Sequence, residues 1–341
     1  MNRRNLLRAA LAASMACNLP RASAQATRIE IKFALNRAPY DASNAPFLLA
    51  REKGYFAQEG FDVTFSLSKN ASDAIRRVAT NEFDFGFVDG SVNLRAAMQG
   101  KGPAPVYLFA IFDRSPACIV TWKASGIDKP ADLAGKSIIA TPGDGAFQMF
   151  QPFLRAAGIA PGAVKIIEAG LEDREASMFR RLGDGAIGFD TTIFYKLRDM
   201  GTKLEELNFM YYADGGLELY SNGIVVSQRM LREQRDRVAP MVRACARGWR
   251  DALKNPREAV DALAKVDSRI DKATEVARFE WIRERQVLTA PVRANGLGVV
   301  DPARLRRLAT QIAGPGADAK AFPVEQVFDA SFLPALADRA V

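Results

Sequence analysis

Apolar and polar residues alternate over 29–35 and again over 62–67, the two-residue period of strands with one face on a core. Residues 83–88 read as a further strand, buried in a sheet. Between these runs the apolar spacing becomes three and four. Asn44 is placed as the cap of a helix carrying Phe47, Leu48 and Leu49, with Pro46 where its missing N–H costs nothing and Gly54 at the end. Tyr55 and Phe56 follow as an aromatic clasp, and Gly60 as a turn. Residues 72–81 put Ile75, Val78 and Ala79 on one helical face, and 91–99 predict another helix. Strands alternating with helices predict a parallel sheet covered on both faces.

Residues 100–105 are loop-like. The apolar run 106–122 is interrupted at 113–116, which predicts strand, kink, strand: the chain leaves one lobe and enters another. There the pattern restarts, with strands at 133–141, 164–168 and 186–189 and helices at 146–157, 172–182 and 193–200. Residues 211–227 are the return crossing. Beyond Arg229 the chain is mostly helical, with Met241, Ala244, Cys245, Trp249 and Leu253 as a stripe expected to pack on the first lobe. The expected lobes are 25–115 with 220–341, and 116–219. Two open α/β lobes joined by two crossings place a crevice at the carboxyl ends of the strands. Asp214, Gly215 and Gly216, with Ser115 and Pro116, are hinge candidates.

At 341 residues the chain can bury a sizeable core. Its opening, MNRRNLLRAALAASMA, has Arg3 and Arg4 before a modest apolar stretch, and Ala22, Ser23 and Ala24 form a small-residue cleavage site. Residues 1–24 are expected to be a cleaved signal peptide, twin-arginine-like or plainly secretory, and the mature protein periplasmic. Ser14, Met15 and Ala16 make a poor lipidation context for Cys17. Arg3, Arg4, Arg8 and Arg21 leave with that segment and no acid does, so the formal charge falls from +8 to +4. Elsewhere basic residues interleave with acids, as from Arg174 to Arg181, and read as solvated helix faces. No basic run with interleaved aromatics points to nucleic acid.

The mature chain keeps Cys118 and Cys245, which an oxidising compartment permits to pair and which otherwise read as buried thiols. There is no histidine. That removes Ser-His-Asp and Cys-His catalysis, histidine metal sites and histidine haem ligation together. No cofactor, metal or catalytic residue is expected.

Five segments, taken in order, resemble the periplasmic solute-binding proteins of nitrate, sulfonate and taurine type, a family that also holds the thiamine-pyrimidine precursor binders. They are APFLLAREKGYFAQEGFDVTF at 45–65, NEFDFGFVDG at 81–90, DLAGKSIIATPGD at 132–144, ELYSNGIVVS at 218–227 and VFDASFLPAL at 327–336. The resemblance implies a two-lobed type II-like fold, two open sheets flanked by helices, closing on a solute. It implies a monomeric binding component of an ABC importer, working with a membrane permease and ATPase. The expected solute is a small organic anion, a sulfonate or a carboxylate; a pyrimidine or related heterocycle is the alternative, and an enzyme on the same fold a further one. The pyrimidine synthases of this fold use an active-site histidine and a cysteine cluster, and neither is present. Two loops depart from the family: Lys69, Asn70, Ala71 and Ser72 stand where Gly-Ser is common, and Gly143, Asp144, Gly145 and Ala146 where small hydroxylic residues are.

Strand-to-helix loops are the natural solute contacts, because helix N-termini present unpaired N–H groups. Ser72, Ser91 and Gly145 mark three such ends, the serines serving equally as N-caps. Asn36 and Arg37 stand just past the first strand; Arg37 either pairs an acidic solute bidentately or is a surface charge beside Tyr40. Arg114 is a ligand or hinge contact. Asp89, Asp144 and Asp190 fall at strand ends, with Glu168 near another; unless paired or turned away, such acids repel an anion and ask instead for a donor. Asn44, Asn70, Thr141, Tyr220 and Asn222 complete the candidate site. Tyr40, Phe147, Phe194 and Tyr220 are aromatic walls or core.

Overall fold

The computed structural model describes residues 28–100, 102–160, 162–315 and 322–341. The expected signal segment, with Arg3, Arg4 and Cys17, lies outside the described residues. Two five-stranded sheets organise the rest. The first holds β1 (Ile29–Leu35), β2 (Phe61–Leu67), β3 (Phe85–Asp89), β4 (Val106–Ala110) and β10 (Asn222–Val226), in the order β2-β1-β3-β10-β4. The second holds β5 (Ala117–Trp122), β6 (Ser137–Ala140), β7 (Lys165–Glu168), β8 (Gly185–Phe189) and β9 (Leu207–Tyr211), in the order β7-β6-β8-β5-β9. In each, four strands run in one direction and one that follows a crossing inserts antiparallel among them, β10 between β3 and β4 and β5 between β8 and β9. This is the α/β architecture the hydrophobic pattern predicts. Strand β9 falls where the pattern predicts no strand, because Leu207–Tyr211 is half-buried on the sheet's edge and alternates weakly.

Helices cover both sheets. Ala45–Glu52 buries Phe47, Leu48 and Leu49 and lies against Val238–Lys254. The two axes come close because Gly248 has no side chain; a Cβ there would stand 2.6 Å from the Pro46 carbonyl oxygen. Trp249, on the same helix, is fully buried. Its ring lies 6.0 Å from those of Phe47, Phe87, Phe112 and Phe279, which ties the helical layer to the sheet. Cys118 on β5 and Cys245 on Val238–Lys254 are separate buried free thiols.

Three expectations are corrected. Asn44 does not cap Ala45–Glu52 with its side chain. The turn before it, Ala42–Asn44, is capped by Asp41, whose Oδ1 accepts from the Ser43 N–H at 2.9 Å while Asn44 Oδ1 accepts from the Asp41 N–H at 3.3 Å. The helix expected over 146–157 is two short ones, Gly145–Gln148 and Phe150–Ala156. The C-terminal helices do not pack on the first lobe alone: Leu305, Leu308 and Ala309 of Pro302–Ala313 share a core with Phe150, Phe153 and Leu154. Gly215, a hinge candidate, also leaves space for the Phe153 ring, which a Cβ there would meet at 2.5 Å.

Arg304 bridges the two crossings. Arg304 donates to Asp113 Oδ1 at 2.8 Å and to its carbonyl at 2.6 Å on the outgoing segment, and to the Leu219 carbonyl at 2.5 Å on the returning one. Its guanidinium also lies 3.8 Å from the Tyr220 ring centroid. Such charge-assisted bonds hold the two crossing segments side by side.

Candidate functional site

The carboxyl ends of β1, β2, β6 and β8 converge on a polar cleft between the sheets. Its inner pocket has a volume of about 30 Å³ and brings together Asn36, Arg37, Asn70, Asp144, Gly145 and Asn222 of the predicted set, with Ala71, Leu171, Phe189 and Thr192. Ligand pockets run to several hundred Å³. The lobes are therefore drawn shut around a water-sized space. Arg37 makes the closure: its Nη2 donates across the cleft to Thr192 Oγ1 at 3.0 Å and to Asp41 Oδ2 at 3.2 Å. From the second lobe, Gln148 Nε2 donates to Ser72 Oγ at 2.6 Å.

Three carboxamides dominate the pocket. Asn36 Oδ1 accepts from the Arg37 N–H at 3.0 Å and from Asn44 Nδ2 at 3.5 Å. Asn70 caps Ala71–Ala79 by accepting from the Asp73 N–H at 3.0 Å. Its amide end crosses towards Gly143, where a Cβ would come within 2.9 Å of Nδ2. Asn222 is 2% exposed and its Nδ2 has no partner among the described residues; Thr141 Oγ1, close by in sequence to Asp144, is likewise buried and unpartnered. An unpaired buried donor costs about 1–3 kcal/mol.

The three acids at the strand ends are occupied. Asp89 accepts from the Val92 N–H and from Ser221 Oγ, both at 2.9 Å, and burial pushes its carboxyl up to about 6. Asp144 accepts from the Ala146 N–H at 2.8 Å and from Arg174 Nη1 at 3.0 Å. Asp190 takes four donors: the Thr191 N–H at 2.6 Å, Gln286 Nε2 and Trp281 Nε1 at 2.8 Å, and Tyr211 Oη at 2.9 Å. Burial nevertheless raises Asp190 above the usual carboxylate range. Arg174, expected on a solvated face, is wholly buried; burial opposes its charge, but Glu175 and Asp144 outweigh that and hold it protonated. Gly188 leaves room for it, since a Cβ there would meet the guanidinium at 2.7 Å.

Other predicted residues stand elsewhere. Ser91 is no N-cap: Asp89 fills that role, and Ser91 Oγ donates to the Tyr220 carbonyl at 2.5 Å. Ser72 is no cap either and sits at the cleft rim. Asn44 supports Asn36 from behind, buried at 1% exposure. Arg114 faces outward, paired with Asp214 at 2.8 Å. Tyr220 is buried at the hinge, its Oη accepting from the Asp301 N–H at 2.9 Å. Glu168 is exposed at the end of β7. Phe194 stacks on Trp281 at 5.3 Å, and Phe147 on Phe150 at 6.5 Å. Sequence reading misses Thr192, Arg174, Arg304, Trp281 and Gln286. For Thr192 a signal exists: Phe189, Asp190, Thr191 and Thr192 stand where β8 runs into its helix, as Val88, Asp89, Gly90 and Ser91 stand where β3 does.

Outside the Arg37–Thr192 contact the cleft widens into a chamber of about 620 Å³ that shares Arg37, Leu171 and Thr192 with the inner pocket and continues past Tyr40 and Glu275. Among the described residues no cluster of three or more acids or cysteines stands ready for a metal, and no helix is long and apolar enough to cross a membrane.

Two open sheets with one antiparallel strand inserted in each, two crossings and a polar cleft between the lobes define the fold of the type II periplasmic binding proteins. The chain belongs to the NMT1/THI5-like family, which matches residues 41–259. The riboflavin-binding protein RibY of Chloroflexus aurantiacus is 28% identical over 328 residues, 92% of this chain and 89% of that protein. The 4-amino-5-hydroxymethyl-2-methylpyrimidine phosphate synthase of Legionella pneumophila is 23% identical over 222 residues, 65% of this chain and 69% of that protein. The periplasmic aliphatic sulphonate binding protein SsuA of Escherichia coli superposes with a TM-score of 0.65 at 11% identity, covering 83% of this chain and 85% of that one. That likeness is one of fold.

Proposed function

We propose that the chain is the periplasmic solute-binding component of an ABC importer, a non-catalytic monomer that closes on a nitrogen heterocycle and hands it to a membrane permease and its ATPase. The observation that carries this is the lining of the inner pocket. Asn36, Asn70 and Asn222 offer carboxamides, Asn222 with a buried donor unpartnered among the described residues, whereas the guanidinium of that lining, Arg37, is already paired with Asp41. Amide edges match the alternating N–H and C=O groups of a pyrimidine or flavin ring, and they supply no net charge for a sulfonate. The names of the two relatives, one a riboflavin binder and one a pyrimidine phosphate synthase, support the same ligand class. The chain has no histidine, and Asp89, Asp144 and Asp190 are spent on structural bonds, which supports binding rather than catalysis.

The test is calorimetry and thermal shift on the protein from Gln25 onward, freed of carried-over solute by unfolding and refolding. Riboflavin, an aminopyrimidine, an alkanesulfonate and an aromatic carboxylate are compared. A heterocycle at ~100 times its Kd should stabilise the fold by about 2.7 kcal/mol. Binding of the sulfonate or carboxylate alone would overturn the ligand class.

A further inference from the structure

We infer that the helix Lys272–Ile282 and the π-turn after it, Arg283–Val287, form a third strap between the lobes, with Trp281 as the latch that holds the cleft shut. This rests on the binding-component reading above and not on the ligand class. Trp281 lines neither the inner pocket nor the outer chamber, so it sets affinity from outside the site.

The strap has two unlike faces. One is fixed to the first lobe: Phe279 and Ile282 are buried in its core, the Phe279 ring lies 6.0 Å from that of Trp249, and Glu275 Oε2 accepts from the Ala42 N–H at 2.7 Å. The other lies against the second lobe. There Trp281 stacks on Phe194 at 5.3 Å and gives its Nε1–H to Asp190 at 2.8 Å. Arg198 donates to Thr274 Oγ1 at 2.8 Å, and the Arg278 guanidinium stands 4.7 Å from the Tyr195 ring centroid. The first face is apolar and dry. The second is half-buried at Thr274, Arg278 and Trp281, so its contacts are the ones that part when the lobes separate.

The strap also has a fixed end. Gln286 is 1% exposed; its carbonyl accepts from the Arg114 N–H of the outgoing crossing at 3.0 Å, and its Nε2 donates to Asp190 at 2.8 Å. Thr274 is about 18 Å further along, at 1.5 Å of rise per residue. Rotation about the crossings therefore moves Gln286 least and Thr274 most. Trp281 lies between them, and its stack and hydrogen bond are the last to yield before the pivot. The other two tryptophans stand within single cores, Trp249 in that of the first lobe and Trp122 in that of the second.

The experiment is electron–electron double resonance on the refolded protein from Gln25 onward, spin-labelled at Lys69→Cys and Glu172→Cys, exposed positions on opposite lobes. Cys118 and Cys245 are buried and take no label. Without solute the labelled parent should show a short distance, and Trp281→Ala should shift the ratio of long to short roughly tenfold. Trp281→Phe keeps a ring against Phe194 but loses the bond to Asp190; it should fall between the two, and it decides alone if the alanine variant does not fold. For a heterocycle that binds the parent, Kd by calorimetry should rise with the open fraction, although no pocket residue has changed. A parent that shows only the long distance overturns the inference. So do variants whose distances match the parent's while their urea midpoints fall, since Trp281 then contributes packing alone. The distances need no solute, so failure of every heterocycle to bind overturns the ligand class and leaves this result standing.

Discussion

Replacing Asp89 by asparagine isolates one buried charge. The carboxyl is 4% exposed, bonded to the Val92 N–H and Ser221 Oγ, and burial, helped by the negative Asp144 nearby, lifts it from 3.8 to about 6. A raised carboxyl binds its proton more tightly folded than unfolded. Its contribution to stability is therefore complete below pH ~4 and is lost as pH rises through about 6. Two units correspond to roughly 3 kcal/mol. The amide introduced by Asp89→Asn does not titrate, so the difference in unfolding free energy, variant minus wild type, should climb by about 3 kcal/mol between pH 4 and pH 8. Any constant loss from a weaker cap shifts that curve without changing its slope. Urea denaturation at half-unit pH steps measures it, with the midpoint read at constant m. A flat difference, or one that falls with pH, would show that Asp89 ionises freely and that its burial costs nothing.

Two further sites test the core and the cleft. Trp249→Ala should cost about 3–5 kcal/mol, because the ring is wholly buried among Phe47, Phe87, Phe112 and Phe279. Trp249→Phe should cost less than ~1.5 kcal/mol, since it also removes a buried Nε1–H with no partner among the described residues; urea midpoints for the two variants decide the matter. Asn222→Ala should leave the unfolding free energy within ~0.5 kcal/mol of wild type, since Nδ2 gives up no bond, and should weaken binding of the heterocycle roughly tenfold by calorimetry. A variant that loses stability but keeps its affinity would place Asn222 in the scaffold.

The sheets, most helices and both crossings are legible in the sequence because hydrophobic period is local. Ile31, Phe33 and Leu35 face a core whatever else the chain does, and the break at 113–116 marks itself. Six residues of the inner pocket are legible for a similar reason, since topology sends strand ends and the loops after them to the cleft. The misses are long-range. Arg174 reads as solvated beside Glu175 until Asp144, thirty positions earlier, and the space above Gly188 are brought to it. Arg304 lies in an unremarkable amphipathic helix, and only the fold sets Asp113 and Leu219 within its reach. Ser72 and Ser91 read wrongly as caps because Asn70 and Asp89, two residues earlier, are equally good ones and start their helices sooner.

The acids that complicate an anion-binding reading of the sequence have a structural use that removes the complication. Asp89 and Asp190 stand at corresponding points, each where a strand runs into a helix. Asp89 is met by Ser221 on the returning crossing, and Asp190 by Tyr211, Trp281 and Gln286. The main-chain carbonyl of Gln286 also accepts from the Arg114 N–H of the outgoing crossing at 3.0 Å. Each acid thus ties the floor of its lobe to the hinge or to the C-terminal helices rather than to a solute. What lines the inner pocket instead are the uncharged amides after β1 and β2, Asn222 on β10, and the Arg37–Thr192 contact that closes it. On the heterocycle reading proposed above, selection by such a cleft depends on shape and hydrogen-bond pattern rather than on net charge.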